Sequence, residues 1–349
     1  MHTPRPPALV ALAIVAGTLL AALLGLLTFG VQATVEPRGL PLAVAVPDGA
    51  PAPLQQAAQR IAGQGGEQVS WRVTSPAEAR RLLDDKAVYG VLELNPGAPV
   101  TVVLSGAVNP TGTQVAQQVL TAAGQAASSA AGGQAQPVTV QTVHPASAAA
   151  RAVPLAASAL LWIGTLVGSV LLVAISARAK RPTTVPLRAA TAAGVAIGAT
   201  GAVLGLMALW DSNLRMDARL IGFLLLAGFA FAAVQGAVLR LTGLAGMAIL
   251  APLYLMAPAV AGQVPEVLHP AYRTLLWSWT PFRFSTEGVR SLLMLDTVPP
   301  DVRNALWVLG GMAVVGLVVL LWPGRRRTTP PDVDDAAASQ PVPTRASAA

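Results

Sequence analysis

Cysteine is absent from the 349-residue chain, and histidine occurs only three times, at His2, His144 and His269. Without a thiol the chain has no disulfide framework, no thiolate metal ligand and no cysteine nucleophile. Three histidines are also too few for a histidine-rich metal centre. The sequence therefore predicts no metal site and no bound cofactor.

Charge is scarce as well. Charged residues make up 11% of the chain, whereas a soluble globular protein carries about 25%. Hydrophobic residues make up 54%, and the mean hydropathy is +0.59. This composition excludes a disordered chain and a purely soluble enzyme, and it predicts a polytopic α-helical membrane protein.

Nucleotide-binding and catalytic motifs are missing too. A P-loop requires a lysine followed by Ser or Thr after a glycine-rich turn. The only lysines are Lys86 and Lys180, which precede Ala87 and Arg181. No nucleophile and base stand in a recognisable pattern, and no basic face carries interleaved aromatics for nucleic acid. We therefore expect no enzymatic activity in this chain and no nucleic-acid partner.

Long apolar runs, in contrast, are frequent. Each of six runs has about the 20 residues that an α-helix needs to cross a bilayer, without an internal charge. They are Ala8–Gly30, Val153–Ala177, Ala189–Trp210, Leu220–Leu239, Gly243–Gly262 and Ala305–Trp322. The sequence therefore predicts six transmembrane helices in a lipid bilayer.

Two of these runs have alternatives. The fourth and fifth are separated only by residues 240–242, which favours a tight helical hairpin over one buried helix of twice the necessary length. The first could be a cleaved signal peptide, since residues 31–33 loosely resemble a cleavage site. Its apolar core is longer than the 7–15 residues typical of such peptides, so we favour an uncleaved anchor.

Charge orients the chain. With the N-terminus inside, the inner segments hold ten Lys/Arg and three acids, whereas the outer segments hold thirteen of each. The whole net charge of +7 then lies on the cytoplasmic side, as the positive-inside rule expects. This pattern predicts a multi-pass protein of the cell membrane with both termini cytoplasmic.

Six regions follow from this topology. Strand-like segments alternate with helix-like segments between the first two spans, which indicates a small α/β domain outside the membrane. The predicted strands are 40–46, which ends at the turn Pro47-Asp48-Gly49, and 67–73, 88–94, 100–104 and 138–143. The predicted helices are 53–62, a second one that begins at the capping box Ser75–Glu78 and runs to about Asp85, and 111–127, which a flexible stretch at 128–136 follows. The regions are an anchor helix (1–31), an extracytoplasmic α/β domain (32–150), transmembrane helices 2–5 (151–262), an outer loop with an interfacial amphipathic helix (263–304), transmembrane helix 6 (305–322) and a disordered cytoplasmic tail (323–349).

Three stretches are candidate functional sites. Gly194, Gly198, Gly201 and Gly205 share one helical face, which is either a subunit interface or, as we favour, a packing surface inside one bundle. Trp279 and Pro281 precede a segment, Phe284–Leu295, that is typical of an amphipathic helix lying on the membrane surface. There Phe284, Val289, Leu292 and Leu293 would face lipid, and Glu287 and Arg290 would form a solvated pair or a gate.

The basic loop at 178–188 is the third candidate. Its four basic residues either only determine topology or dock a cytoplasmic partner, and the sequence alone leaves both open.

Several segments resemble a known family. They are Gly39–Val46, Ser75–Ala79 with Tyr89–Leu94, and Trp279-Thr280-Pro281 followed by Glu287–Leu293. In layout and in these segments the chain resembles the membrane subunits of type 2 ABC transporters, within the branch that includes the phage infection protein family. The resemblance implies a permease that moves a substrate outward, powered by a separate ATP-binding subunit. It further implies that Arg178, Lys180, Arg181 and Pro182 meet that subunit.

The glycine faces and the half-transporter size suggest a homodimer or heterodimer of permease subunits. The alternative function is a non-transporting membrane scaffold or receptor whose extracytoplasmic domain binds a protein or a cell-envelope component. The observation behind it is a sizeable outer domain on a bundle that lacks charged pathway residues.

Overall fold

The computed structural model describes residues 6–130 and 137–322, which form a helical bundle and a mixed α/β unit (residues 40–143) at one end of it. The strands are β1 (Leu40–Ala45), β2 (Val69–Thr74), β3 (Val91–Glu93), β4 (Thr101–Ser105) and β5 (Thr139–Val143). The helices are α1 (Pro6–Ala33), α2 (Ala52–Gly63), α3 (Pro76–Asp84), α4 (Pro110–Ala130), α5 (Ala148–Arg178), α6 (Val185–Trp210), α7 (Ala218–Thr242), α8 (Met247–Ala261), α9 (Pro270–Tyr272), α10 (Pro281–Met294) and α11 (Pro300–Leu321).

The α/β unit is one five-stranded sheet of order β2-β1-β3-β4-β5. Strand β1 runs parallel to β2 and β3, and β4 is antiparallel to β3 and parallel to β5. The alternation along β1 divides the core in two, since Leu40, Leu42 and Val44 pack with α2 and α4, whereas Ala43 and Ala45 pack with α3. Small side chains on that second face let α3 lie close to the sheet.

Most predicted elements of this unit lie within a few residues of the observed ones. The capping box before α3 is present, because the Ser75 hydroxyl accepts a hydrogen bond from the Glu78 amide at 3.4 Å. Strand β3 is shorter than the predicted segment 88–94. Helix α4 extends to Ala130, into the stretch 128–136 that we expected to be flexible. Residues 131–136 of that stretch lie outside the described residues.

An aromatic cluster lies at the centre of the bundle. Trp162 of α5 meets Phe231 of α7 edge-on at 5.2 Å between ring centroids, and Phe282 of α10 lies 5.0 Å from Trp162. All three side chains are buried. At Gly316 a Cβ atom would lie 2.7 Å from the α7 backbone, so only glycine allows α11 to pack so closely there.

Five helical segments are long and apolar enough to cross a membrane, and Ala218–Ala261 counts as one of them. The chain nevertheless reverses direction within that segment. Helix α7 ends at Thr242, Gly243 follows with φ +62°, and a 3₁₀ turn (Gly243–Gly246) leads into α8. The start of α7 and the end of α8 both lie at the α/β-unit end of the bundle. Arg219 donates to the carbonyl of Asp296, in the loop between α10 and α11, and Thr111 of α4 donates to the Gly262 carbonyl. The structure thus has the predicted hairpin and not one long helix.

Helix α1 stands at the edge of the bundle. It packs along α8, and the Tyr272 hydroxyl donates to the Leu26 carbonyl at 2.9 Å. A Cβ atom at Gly30 would lie 2.2 Å from that hydroxyl oxygen, so any larger residue there would displace the Tyr272 side chain. The remaining surface of α1 is largely uncovered by the rest of the chain.

The helix predicted at 284–295 exists as α10, but its surroundings differ from the prediction. Val289, Leu292 and Leu293 are buried in the protein, against a core built with α5, α7 and α11, and do not face lipid. The amphipathic pattern correctly predicted a helix with one apolar face. In the structure, neighbouring helices cover that face. The predicted tail, 323–349, and Met1–Arg5 lie outside the described residues.

Candidate functional site

Lys86 joins the α/β unit to the bundle. It follows the C-terminus of α3 with φ +58°, a backbone conformation that turns the chain away from the helix. Its Nζ donates to Asp301 Oδ2 of α11 at 2.9 Å and to Glu287 Oε2 of α10 at 3.3 Å. The side chain is only 12% exposed, so the ammonium group depends on these two carboxylates.

Glu287 lies at the centre of this contact. Its Oε1 accepts from Asn109 Nδ2 at 3.0 Å and from Arg290 Nε at 3.4 Å. Burial alone raises the pKa of Glu287, but the positive charges of Arg290 and Lys86 and the hydrogen bonds outweigh it and hold the pKa below its ordinary value. Glu287 is therefore a stable carboxylate at neutral pH.

Two neighbours on α10 complete the group. The Ser291 hydroxyl donates to Asp301 Oδ2 at 2.7 Å. Arg290 is 3% exposed, and its Nη1 has no hydrogen-bond partner within residues 6–130 and 137–322. We call the six residues the interface cluster: Lys86, Asn109, Glu287, Arg290, Ser291 and Asp301.

A second contact flanks the interface cluster. The Tyr89 hydroxyl donates to Glu266 Oε2 at 2.7 Å. Burial, the nearby charges of Glu266 and Glu287, and this hydrogen bond raise the pKa of Tyr89 well above its usual range, so the phenol remains a donor. The Arg38 amide donates to the Glu266 carbonyl at 2.7 Å. The α/β unit thus contacts the rest of the chain both through the interface cluster and through Tyr89.

The sequence predicted Glu287 and Arg290 either as a solvated pair or as a gate. Here Arg290 is buried, and the pair belongs to a network between two parts of the molecule. Sequence reasoning missed Lys86, Asn109 and Asp301. The only available signal was the rarity of lysine, because Lys86 is one of two in the chain.

The aromatic segment before α10 lies at the edge of the bundle. Trp279 is 50% exposed, and its indole N–H donates to the Leu275 carbonyl. Pro281 stands in the first turn of α10, where a missing amide hydrogen is tolerated. The Arg283 guanidinium stacks on Trp277 at 3.8 Å, and burial lowers the pKa of Arg283 to about 10.

The candidate docking loop lies at the opposite end of the bundle, which we call the far end. Arg178, Lys180 and Arg181 are exposed, and Pro182 follows them. The Lys180 backbone has φ +51°, and amides 179–181 bond to carbonyls 175–177 at the end of α5. Within the described parts of the chain, none of the three cations forms an ion pair. The loop therefore presents positive charge that no described acid neutralises.

The glycine face of α6 is open. Gly194, Gly198, Gly201 and Gly205 are exposed, and a Cβ atom added at any of them meets nothing within 4 Å. Among residues 6–130 and 137–322, nothing packs on this face, so the packing inside one bundle that the sequence favoured is not observed there. Gly164 and Gly168 of α5 do pack within the chain, since a Cβ at Gly168 would lie 2.2 Å from Val195.

A cavity of about 660 Å³ opens at the end of the α/β unit away from the bundle. It lies beyond the carboxyl ends of β1 and β3, where α/β sheets commonly bind ligands. Pro53, Leu54 and Leu94 form apolar walls, and Arg60 is the one charged residue in its lining.

Comparison with known proteins gives one match. A model of the family described as ABC-2 family transporter protein matches residues 8–322, which is nearly the whole chain. No curated protein and no solved structure matches significantly. The match covers both the helical bundle and the α/β unit between its first two long helices.

Proposed function

Because the chain belongs to the ABC-2 transporter family, we propose that it is the permease subunit of an ATP-driven exporter that moves its substrate outward. Members of this family are membrane-embedded transport subunits that associate with an ATP-binding subunit and are not themselves enzymes. The observation that carries the proposal is the match over residues 8–322 on a chain with five long apolar helical segments. The narrower branch with the phage infection protein family stays a prediction.

Six crossings and cytoplasmic termini belong to this proposal. The α7–α8 hairpin supports six, since its two arms run between the α/β-unit end and the far end. The cations Arg178, Lys180, Arg181, Arg188 and Arg240 all lie at the far end, which supports placing that end in the cytoplasm. The α/β unit is then extracytoplasmic.

The ATP-binding subunit docks on the loop at Arg178, Lys180, Arg181 and Pro182. Exposed and unneutralised cations steer and hold a partner with an acidic surface. The interface cluster then carries movement from the bundle to the α/β unit through Lys86. The open glycine face of α6 supports a dimer of permease subunits, in which two helices approach closely.

The first test is purification of the tagged full chain in mild detergent, with mass spectrometry of the proteins that accompany it. We expect a stoichiometric protein that bears a Walker A motif. Recovery with outer-surface proteins alone would contradict the permease function and favour the scaffold alternative.

The second test replaces Arg178, Lys180 and Arg181 together with Ala. Because exposed charges supply much of the steering at such an interface, we expect association with the ATPase to weaken about tenfold or more. The matched control replaces Arg72, Arg151 and Arg303, which are exposed cations near the α/β unit. Equal effects of the two triple variants would overturn the docking role of the loop.

A further inference from the structure

A small cleft lies between the far ends of α5, α6, α7 and α11. Two arginines and three hydroxyl side chains line it, next to apolar groups of the bundle such as Leu172 and Leu320. The cleft holds about 40 Å³, about three times the smallest volume that admits a water molecule. We call these five polar residues the arginine cleft: Ser169, Thr183, Arg188, Thr191 and Arg240.

Arg188 is the central residue of the arginine cleft. It is only 7% exposed, although a guanidinium group carries a permanent charge. Its Nε donates to the Thr184 carbonyl at 3.4 Å, a long bond to a neutral group of its own helix. A buried cation without a counter-ion is costly, and such groups in proteins are normally paired with an anion.

Arg240 adds a second positive charge to the cleft, and its hydrogen-bond partner is a neutral carbonyl group. Its Nη1 donates to the Val319 carbonyl of α11. Within residues 6–130 and 137–322, neither arginine forms an ion pair. Two guanidinium groups that line one small cleft repel each other unless an anion lies between them.

The distribution of acids explains why the described residues supply no partner there. All thirteen acidic residues of the described chain stand in the segments at the α/β-unit end. Arg188 and Arg240 each lie roughly 33 Å along a helix axis from that end. An anion at the far end must therefore come from outside the described residues.

We propose that the arginine cleft binds the phosphate of an anionic phospholipid headgroup. Arginine pairs bind phosphate through several parallel N–H donors, and the hydroxyl groups of Ser169 and Thr183 add donors. The Thr191 hydroxyl donates to the Leu187 carbonyl of its own helix at 2.8 Å. The cleft opens between the far ends of long apolar helices, and basic pockets between transmembrane helices on the cytoplasmic side bind lipid headgroups. The proposal depends on membrane embedding and not on transport or on an ATPase partner.

The test measures the thermal unfolding midpoint of the purified full chain in nanodiscs, without any partner subunit. Phosphatidylglycerol is compared with phosphatidylcholine of the same acyl chains. We expect the wild-type midpoint to be about 2–4 °C higher in phosphatidylglycerol, because a ligand that binds only the folded state stabilises it. Arg188→Gln and Arg240→Gln should lose most of that difference.

The unfolding midpoints of the variants in both lipids together distinguish a loss of lipid binding from misfolding. In phosphatidylcholine, Arg188→Gln should unfold no earlier than wild type, since the substitution removes an uncompensated buried charge. Arg178→Gln, an exposed cation at the same membrane surface, is the control and should keep the wild-type lipid difference. An equal midpoint of wild type in both lipids, or an undiminished difference in Arg188→Gln, would overturn the proposal.

A further arm distinguishes a lipid from a free anion. Inorganic phosphate added to the wild-type chain in phosphatidylcholine should leave the midpoint unchanged. If it reproduces the phosphatidylglycerol shift, the ligand is soluble phosphate and the lipid assignment is overturned.

Discussion

At the scale of single residues, the two lysines offer a direct comparison. Lys86 and Lys180 both have positive φ angles, +58° and +51°, but only Lys86 contacts carboxylates, on α10 and α11. We expect Lys86→Met to destabilise the attachment of the α/β unit by about 1–3 kcal/mol, because two half-buried carboxylates lose their cation. Hydrogen exchange of α10 and of the first turn of α11 measures this.

Lys180→Met is the matched control for that prediction. It removes a lysine with the same backbone conformation from an exposed position at the far end. Exchange in α10 and α11 should stay at the wild-type level in this variant. A similar increase in both variants would mean that the Lys86 ion pairs contribute nothing specific.

Glu287 gives the interface cluster a predictable response to acid. A carboxylate with a lowered pKa in the folded state contributes stability that is fully present above the unfolded pKa of about 4.3 and is lost as the pH falls through the folded value. We therefore expect the attachment of the α/β unit to be constant from neutral pH to about pH 5 and to weaken below about pH 4. Unfolding midpoints measured across this range test the expectation, and Glu287→Gln should weaken the acid response.

At the scale of elements, α6 presents a glycine face that the described part of the chain leaves uncovered. In a cysteine-free chain, Gly198→Cys introduces a single thiol on that face. We expect it to form a disulfide-linked dimer at twice the 35.5 kDa mass of the chain. Ala196→Cys, on the buried side of the same helix, should remain monomeric. Absence of the Gly198 crosslink in membranes would contradict a dimer through this face.

Helix α10 shows what periodicity can and cannot predict. The spacing of apolar residues identified a helix with one apolar face, and the helix is there at Pro281–Met294. Periodicity does not tell whether lipid or protein covers that face, because both are apolar environments. The same limit applies to α6, where spacing identified the glycine face but not its neighbour.

At the scale of the whole molecule, the absence of cysteine makes the topology measurable. Single cysteines at the exposed positions Ala179, Leu241 and Ala271 can be labelled with a membrane-impermeant maleimide in intact cells and inverted vesicles. The hairpin predicts that Ala179→Cys and Leu241→Cys react on one side and Ala271→Cys on the other. A single crossing by residues 218–261 would leave Leu241→Cys unreactive in both preparations.

Much of the architecture is visible in the sequence, because a helix that crosses a bilayer must be apolar over its whole length. The turn at Pro47–Gly49 also predicted the end of β1, and the capping box at Ser75 predicted the start of α3. The interface cluster could not be predicted from the sequence, because Lys86 and Asp301 are 215 positions apart and no local pattern links them. The arginine cleft likewise depends on how four helices come together.

The separation of charge along the bundle has an electrical consequence. Five cations and no described acid lie at the far end, whereas the acids lie about one membrane thickness away. Each elementary charge carried across 100 mV corresponds to about 2.3 kcal/mol, so five correspond to about 12 kcal/mol. If the far end faces an inside-negative compartment, the membrane potential itself acts on the orientation of the molecule and favours it over the inverted one.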